Sequence, residues 1–175
     1  MGGSPASVTK IGEIILDLAE LYDLHTFVET GTYQSETAKW ACQHFNHVYT
    51  VELDVVLYAH AKIHEQNYPR GQLNVYSGLS TVFLDEILQW VKDPIFWLDA
   101  HGMTTADTGS SALEELRVIE RMMAKPKVIL IDDAMLFEMR VPGWPAVQQV
   151  ADQLTQMGLT FYKEKDVYVA YRVED

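Results

Sequence analysis

The sequence predicts an α/β fold, a doubly wound and mostly parallel sheet of seven strands with one antiparallel strand in a C-terminal hairpin. Three observations predict it. Short β-branched or aromatic runs alternate with stretches of helical period along the chain. Two of those runs, IFWL at 95–98 and KVILI at 127–131, are continuously apolar, as in strands covered on both faces. The connections between runs are long enough for helical crossovers, which join parallel strands.

The elements follow in order. Ile11, Ile14, Ile15, Leu18, Leu21 and Tyr22 recur at helical spacing and make a first amphipathic helix. TFVET, Thr26 to Thr30, is strand one, broken at Gly31. Ala38, Ala41, Cys42 and Phe45 mark the next helix, and HVYTVEL, His47 to Leu53, is strand two. A helix runs from Val55 to about Asn67, stopped by Pro69 and Gly71, and LNVYS, Leu73 to Ser77, is strand three. The helix that follows turns Phe83, Leu84, Ile87, Leu88 and Val91 inward and ends at Pro94, after which IFWL is strand four. Ser111 and Glu114 have the spacing of a capping box, opening a helix that buries Leu113, Leu116, Ile119 and Met123. KVILI is strand five. Trp144 to Met157 is the last helix, with Gly158 as its stop signal, and Thr160–Lys163 with Val167–Val173 read as a hairpin around Glu164, Lys165 and Asp166.

The chain has 175 residues, the size of one domain, and 48 % of them are hydrophobic, enough for a core. Residues 1–7 read as a flexible leader before a single domain over 8–175. The formal net charge of −12 repels phosphate backbones and anionic lipid, so neither a nucleic acid nor a membrane is expected as a partner. One cysteine, Cys42, permits no internal disulfide and no thiolate metal centre within one chain, and the cytoplasm is the expected compartment. The first helix leaves room for pairing into a homodimer.

In a doubly wound sheet, ligands bind beyond the carboxyl ends of the strands. After strand one stands Glu29-Thr30-Gly31-Thr32-Tyr33-Gln34-Ser35, and after strand two Glu52 with Asp54 beyond it. Ser77-Gly78-Leu79-Ser80 follows strand three, Asp99-Ala100-His101 strand four, and Asp132-Asp133 strand five. Six carboxylates and one histidine thus gather along one rim, where like charges need a cation, donors or protons to compensate them. Asp132 and Asp133 are adjacent and reach one metal only if the chain turns sharply there. His60 and His64, one helical turn apart, lack a third ligand and read as a solvated helix face; Cys42 and Met122–Met123 read as core.

The turn at Gly31 lacks the further glycines that let a backbone approach a pyrophosphate, since Tyr33 and Gln34 stand where small residues are needed. Glu52, about twenty residues on, suits the two hydroxyls of a ribose. Adenosine without a pyrophosphate points to S-adenosylmethionine. FVETGTYQSETA, VYTVELD, NVYSGLS, FWLDAHG and VILIDDA, in this order and spacing, resemble the motifs of a Rossmann-like class I S-adenosylmethionine-dependent methyltransferase. Within that class the chain is similar to the metal-dependent macrocin and sugar O-methyltransferases. The resemblance covers about Thr26 to Phe137.

The resemblance implies roles. Glu29 and Gly31 would take the methionine end of the cofactor, Glu52 its ribose, and Ser77, Gly78 and Ser80 its adenine side, with Thr32, Tyr33, Ser35 and Asp99 as further cofactor-binding residues. Asp99, Asp132 and Asp133 would hold Mg²⁺ or Mn²⁺, as hard oxygen ligands do. His101, with an ordinary pKa near 6.5, would be the base, working beside Asp99. Ser35 departs from the family, which has a glycine at the end of this loop. The reaction implied is transfer of a methyl group to a hydroxyl of a small molecule or sugar, the metal orienting the oxygen and lowering its pKa and His101 taking its proton. Two alternatives stay open: an inert methyltransferase-like nucleoside-binding module, and a nicotinamide-dependent oxidoreductase. The loop at 102–110 and the stretch Met135–Pro145 are expected to shape the acceptor pocket.

Overall fold

The computed structural model describes residues 9–101 and 109–173. The leader at 1–7 and most of the loop at 102–110 therefore lie outside the described residues. Helices α1 (Thr9–Tyr22), α2 (Glu36–Ala41), α3 (Val55–Glu65), α4 (Ser80–Ile87), α5 (Ala112–Met122), α6 (Ala134–Glu138) and α7 (Val147–Gln156) alternate with strands β1 (Thr26–Thr30), β2 (His47–Glu52), β3 (Leu73–Ser77), β4 (Pro94–Leu98) and β5 (Val128–Ile131), and β6 (Thr160–Glu164) and β7 (Val167–Tyr171) close the chain.

The seven strands form one sheet in the order β3-β2-β1-β4-β5-β7-β6. Neighbours from β3 to β5 are parallel, whereas β7 runs antiparallel to both β5 and β6. Only β7 opposes the rest, as the sequence predicts. The chain order reverses between β1 and β4, which makes that gap the topological switch point.

Alternating side chains feed two separate cores. Phe27, Val48, Ile95, Trp97 and Leu130 pack with Ile11, Ile15 and Ala38 on the α1–α3 side. Val28, Phe96, Leu98, Ile129 and Ile131 pack with Leu84, Leu116, Ile119 and Leu154 on the α4, α5 and α7 side. Central strands β4 and β5 are buried along their whole length, which is why both read as continuous apolar runs rather than alternating ones. Cys42 lies in the first core, and burial pushes its thiol up to about 12. No helix among the described residues is long and apolar enough to cross a membrane.

Some local readings give way to tertiary contacts. The helix before β4 ends at Ile87, well short of Pro94, and Pro94 itself is the first residue of β4, paired with Thr26, where a strand tolerates the missing N–H. The helix α6, five residues long, is too short for helical periodicity to mark it, although Ala134, Met135, Leu136 and Glu138 are good helix formers. The capping box at Ser111 and Glu114 does not form. The Ser111 side chain caps nothing, and its hydroxyl contacts Ala100 O and Glu115 Oε1 instead, while Glu114 pairs loosely with Arg117 at 3.7 Å. A buried carboxyl competes for that hydroxyl better than an exposed helix end does.

Gly158 does stop α7. It adopts φ +73, and its N–H bonds Thr155 O while the next N–H reaches Leu154 O. A Cβ there would stand 2.9 Å from Nη1 of the flexible Arg172 side chain. Gly158→Ala is expected to cost about 1–2 kcal/mol, the left-handed penalty for an L-residue, since Arg172 can move aside. Thermal unfolding of the variant checks this.

Candidate active site

The carboxyl ends of β1, β4 and β5 stop in staggered register. The N–H of Asp99 bonds Thr30 O at 3.1 Å, and the N–H of Asp132 bonds Leu98 O at 3.1 Å, so each strand hands its next residue to the rim. Gly31 permits the closest approach. It sits at φ +85, and a Cβ added to it would meet Asp99 O at 2.6 Å and Ala100 Cα at 3.2 Å. The glycine thus serves contact between the β1 and β4 loops.

At β5 the chain turns as a shared rim position for both acids requires. Asp133 adopts φ 55 and ψ 39, a left-handed conformation costly for any residue but glycine, asparagine or aspartate. That turn brings Asp133 to β4. The Nε2 atom of His101 lies 2.9 Å from Asp133 Oδ2 and 3.4 Å from Asp99 Oδ1, and ligand atoms of these three residues all lie within 4.8 Å of one another. Asp132 stands beside them but outside that group. Its Oδ1 accepts the Asp133 N–H at 2.8 Å, and its Oδ2 is buried without a hydrogen-bond partner.

The electrostatics follow from this crowding. Hydrogen bonds to Asp133 and Asp99 raise His101 to about 10, well above the 6.5 expected from its sequence, so in this state the imidazolium is itself the cation of the cluster. Burial raises Asp99, and burial with the charge of Asp99 pushes Asp132 up to about 8. An orphaned buried carboxylate oxygen next to two carboxylates and an imidazole is a donor set that fits a divalent cation, which would take over the neutralisation. The ring of Trp144 stands 5.6 Å from that of His101 and edge-on to Phe137 at 4.8 Å, so the segment after α6 walls this side. Beneath the cluster is a cavity of about 10 Å³, room for a single water-sized group, bordered by Asp99, Asp132 and Glu115 among others.

The cofactor candidates occupy the neighbouring rim, over β1 to β3. Both oxygens of Glu52 accept backbone N–H groups, from Tyr33 at 2.8 Å and Asp54 at 2.9 Å, and each keeps a further lone pair. Glu29 points down into the α2 side of the sheet, where Thr50 Oγ1 donates to it at 2.5 Å; Thr32 and Thr50 share a second hydroxyl contact at 2.6 Å. Ser77 is exposed, Gly78 sits at φ +139, and Ser80 is buried at the start of α4 with its hydroxyl toward Ser111. Ser35 holds φ 64 and ψ 20, the conformation a glycine would adopt there, so the loop keeps its course without one. Tyr33, Gln34 and Ser35 also border a second cavity of about 270 Å³ with Lys39, His60 and His64.

Sequence reading misses two buried groups, Thr50 and Glu115. The signal for Glu115 is its spacing: it lies three residues after Ala112 and four before Ile119, on the apolar stripe of α5.

Burial raises Glu29 well above the carboxylate range and Glu115 to about 7, so several carboxyls bind protons more tightly folded than unfolded. Between the ordinary carboxylate pKa and these raised values the folded chain holds the extra protons, and stability must fall as pH rises. Unfolding free energy is expected to decline from about pH 5 to pH 8, and Glu29→Gln to flatten that slope; chemical denaturation across the range reads it.

Compared by sequence, the chain matches no protein-family model and no curated protein. Compared by structure, it is similar to the O-methyltransferase TomG from Streptomyces achromogenes in complex with S-adenosylmethionine, at a TM-score of 0.67 and 15 % identity over 94 % of this chain and 80 % of that one. An O-methyltransferase from Bacillus cereus in complex with S-adenosylhomocysteine gives 0.66 and 14 %, over 93 % and 81 %. A methyltransferase from Podospora anserina, also bound to S-adenosylhomocysteine, gives 0.63 and 13 %, over 94 % and 78 %. At these identities the likeness is one of fold.

Proposed function

We propose that this chain is an S-adenosylmethionine-dependent methyltransferase that transfers a methyl group to a hydroxyl of a small molecule or sugar with the help of a divalent cation, as the macrocin and sugar O-methyltransferases do. The observation that carries the reading is the meeting of Asp99, His101 and Asp133 within 4.8 Å at the switch point, beside the β1 turn. The shared fold with solved complexes of S-adenosylmethionine and S-adenosylhomocysteine supports it.

Asp99 and Asp133 would hold the cation, with Asp132 in reserve through its unpartnered oxygen. When bound, such an ion lowers the pKa of a coordinated hydroxyl and fixes its orientation. His101 is the group that holds or takes a proton here, at Nε2, and its affinity for that proton is set by how much charge on Asp99 and Asp133 is left uncompensated. Glu52 orients a ribose through its remaining lone pairs, and the Gly31 turn keeps the β1 and β4 loops close enough for cofactor and acceptor to share one rim.

Calorimetry tests the reading. S-adenosylhomocysteine is expected to bind, Mn²⁺ to bind the wild type and not Asp133→Asn, and NAD to give no heat. Binding of NAD in place of S-adenosylhomocysteine would overturn the proposal in favour of an oxidoreductase. Binding of S-adenosylhomocysteine with no Mn²⁺ uptake would leave a metal-free enzyme or an inert module.

A further inference from the structure

On the α4–α5 side of the sheet, directly behind the rim, lies a carboxyl that no step above uses. Glu115 is fully buried on α5, and its two oxygens meet two different hydroxyls, those of Thr30 and Ser111. Oε2 accepts from Thr30 Oγ1 at 3.1 Å, and Thr30 Oγ1 in turn accepts the N–H of Asp99 at 3.2 Å. Oε1 lies 2.7 Å from Ser111 Oγ, which lies 2.7 Å from the carbonyl oxygen of Ala100. Two hydroxyls and one carboxyl thus join the N–H that leads into Asp99 to the C=O that leads out of Ala100.

The Ser111 hydroxyl has one proton and two acceptor oxygens at 2.7 Å, Ala100 O and Glu115 Oε1. Ala100 O also accepts the Ser111 N–H at 3.3 Å, and the Ser80 hydroxyl bonds Glu115 and lies 3.4 Å from Ser111 Oγ. A proton on Glu115 lets both short contacts at Ser111 carry one.

We propose that Glu115 is a positioning residue: a neutral carboxylic acid that donates from Oε1 to Ser111, accepts at Oε2 from Thr30, and so fixes the Asp99–Ala100 segment and the directions in which Asp99 and His101 leave β4. Full burial, which raises this carboxyl to about 7, favours the same neutral form. The part of the inference that concerns cation binding rests on the function proposed above; the clamp itself does not.

The test uses the full chain at about pH 6. The infrared difference between wild type and Glu115→Gln is expected to contain the carbonyl stretch of a buried carboxylic acid. Glutamine can both accept and donate, so the amide resonances of Asp99 and His101 are expected to stay near their wild-type positions. In Glu115→Leu they are expected to move, because loss of the carboxyl frees the Thr30 and Ser111 hydroxyls to reorient. Mn²⁺ affinity is expected to fall about 10-fold or more in that variant, the usual scale for groups that orient a metal ligand, and about threefold at most in Glu115→Gln. Should Glu115→Leu fail to fold, Thr30→Val and Ser111→Ala each remove one arm: the first is expected to move the Asp99 amide, the second the amides of His101 and Ser111.

A carboxylate band in place of the acid band would overturn the neutral clamp. Unmoved Asp99 and His101 amides in Thr30→Val and Ser111→Ala would overturn the positioning role, as would unchanged Mn²⁺ affinity in a folded Glu115→Leu. Failure of the wild type to take up Mn²⁺ counts against the proposed function, and the infrared and amide readouts still decide the clamp.

Discussion

On the proposed function, Asp99→Asn is expected to lower the rate of methyl transfer by about 10³-fold, equivalent to about 4 kcal/mol of lost transition-state stabilisation. The residue supplies one of the two carboxylates that meet at His101, and an amide is a poor ligand for a hard divalent ion. The same exchange is not expected to lower stability. Burial outweighs the hydrogen bond and charge of His101 and, with the neighbouring Asp133, leaves the charge on Asp99 disfavoured on balance, so removing that charge removes a net desolvation cost. The opposing responses are the signature: a large drop in kcat with a melting temperature that holds or rises. The acceptor for this assay is any compound that the wild type methylates. A drop of less than about 10-fold would remove Asp99 from the reacting centre.

Gly31→Ala is expected to destabilise the fold by about 3 kcal/mol, combining a left-handed alanine with the overpacking of two backbones. The methyl carbon would stand 2.6 Å from Asp99 O and 2.9 Å from its carbonyl carbon, and both are main-chain atoms with no rotamer to change. For a chain of this length the melting temperature should drop by about 6–12 °C. The only relief is separation of the β1 and β4 loops, which carries Asp99 and His101 with it, so Mn²⁺ uptake should weaken in parallel. A drop of less than about 2 °C would mean that the two loops part freely and that their close contact is not structural.

The acidic rim was legible in the sequence because its members stand at the last residues of a strand or just beyond its end. Asp99, Asp132 and Asp133 come after apolar runs whose ends leave no choice of register, and a doubly wound sheet sends all such ends to one side. The adjacency of Asp132 and Asp133 was legible as a problem and not as an answer. Only the left-handed turn at Asp133 decides which of them meets His101, and single residues outside glycine give little warning that they will adopt it. The proton affinity of His101 departs from the ordinary value for a related reason. An ordinary pKa assumes solvent around the ring, whereas here two carboxylates face one nitrogen. The capping box at Ser111 failed because its local pattern is also compatible with a competing partner, Glu115, one residue beyond the expected one.

What the amino-acid sequence determined by itself is the order and type of the main elements, the sheet they form and the side of that sheet on which the carboxylates emerge. Periodicity and chain connectivity are local or nearly local properties, and they survive any detail of packing. What only the tertiary structure decided is which oxygens face which nitrogen, and which carboxyl is sealed behind the rim with two hydroxyls. Those outcomes depend on distances of a few ångströms between segments far apart in the chain, as with Thr30 and Glu115, and hydrogen bonding and desolvation change over that same range.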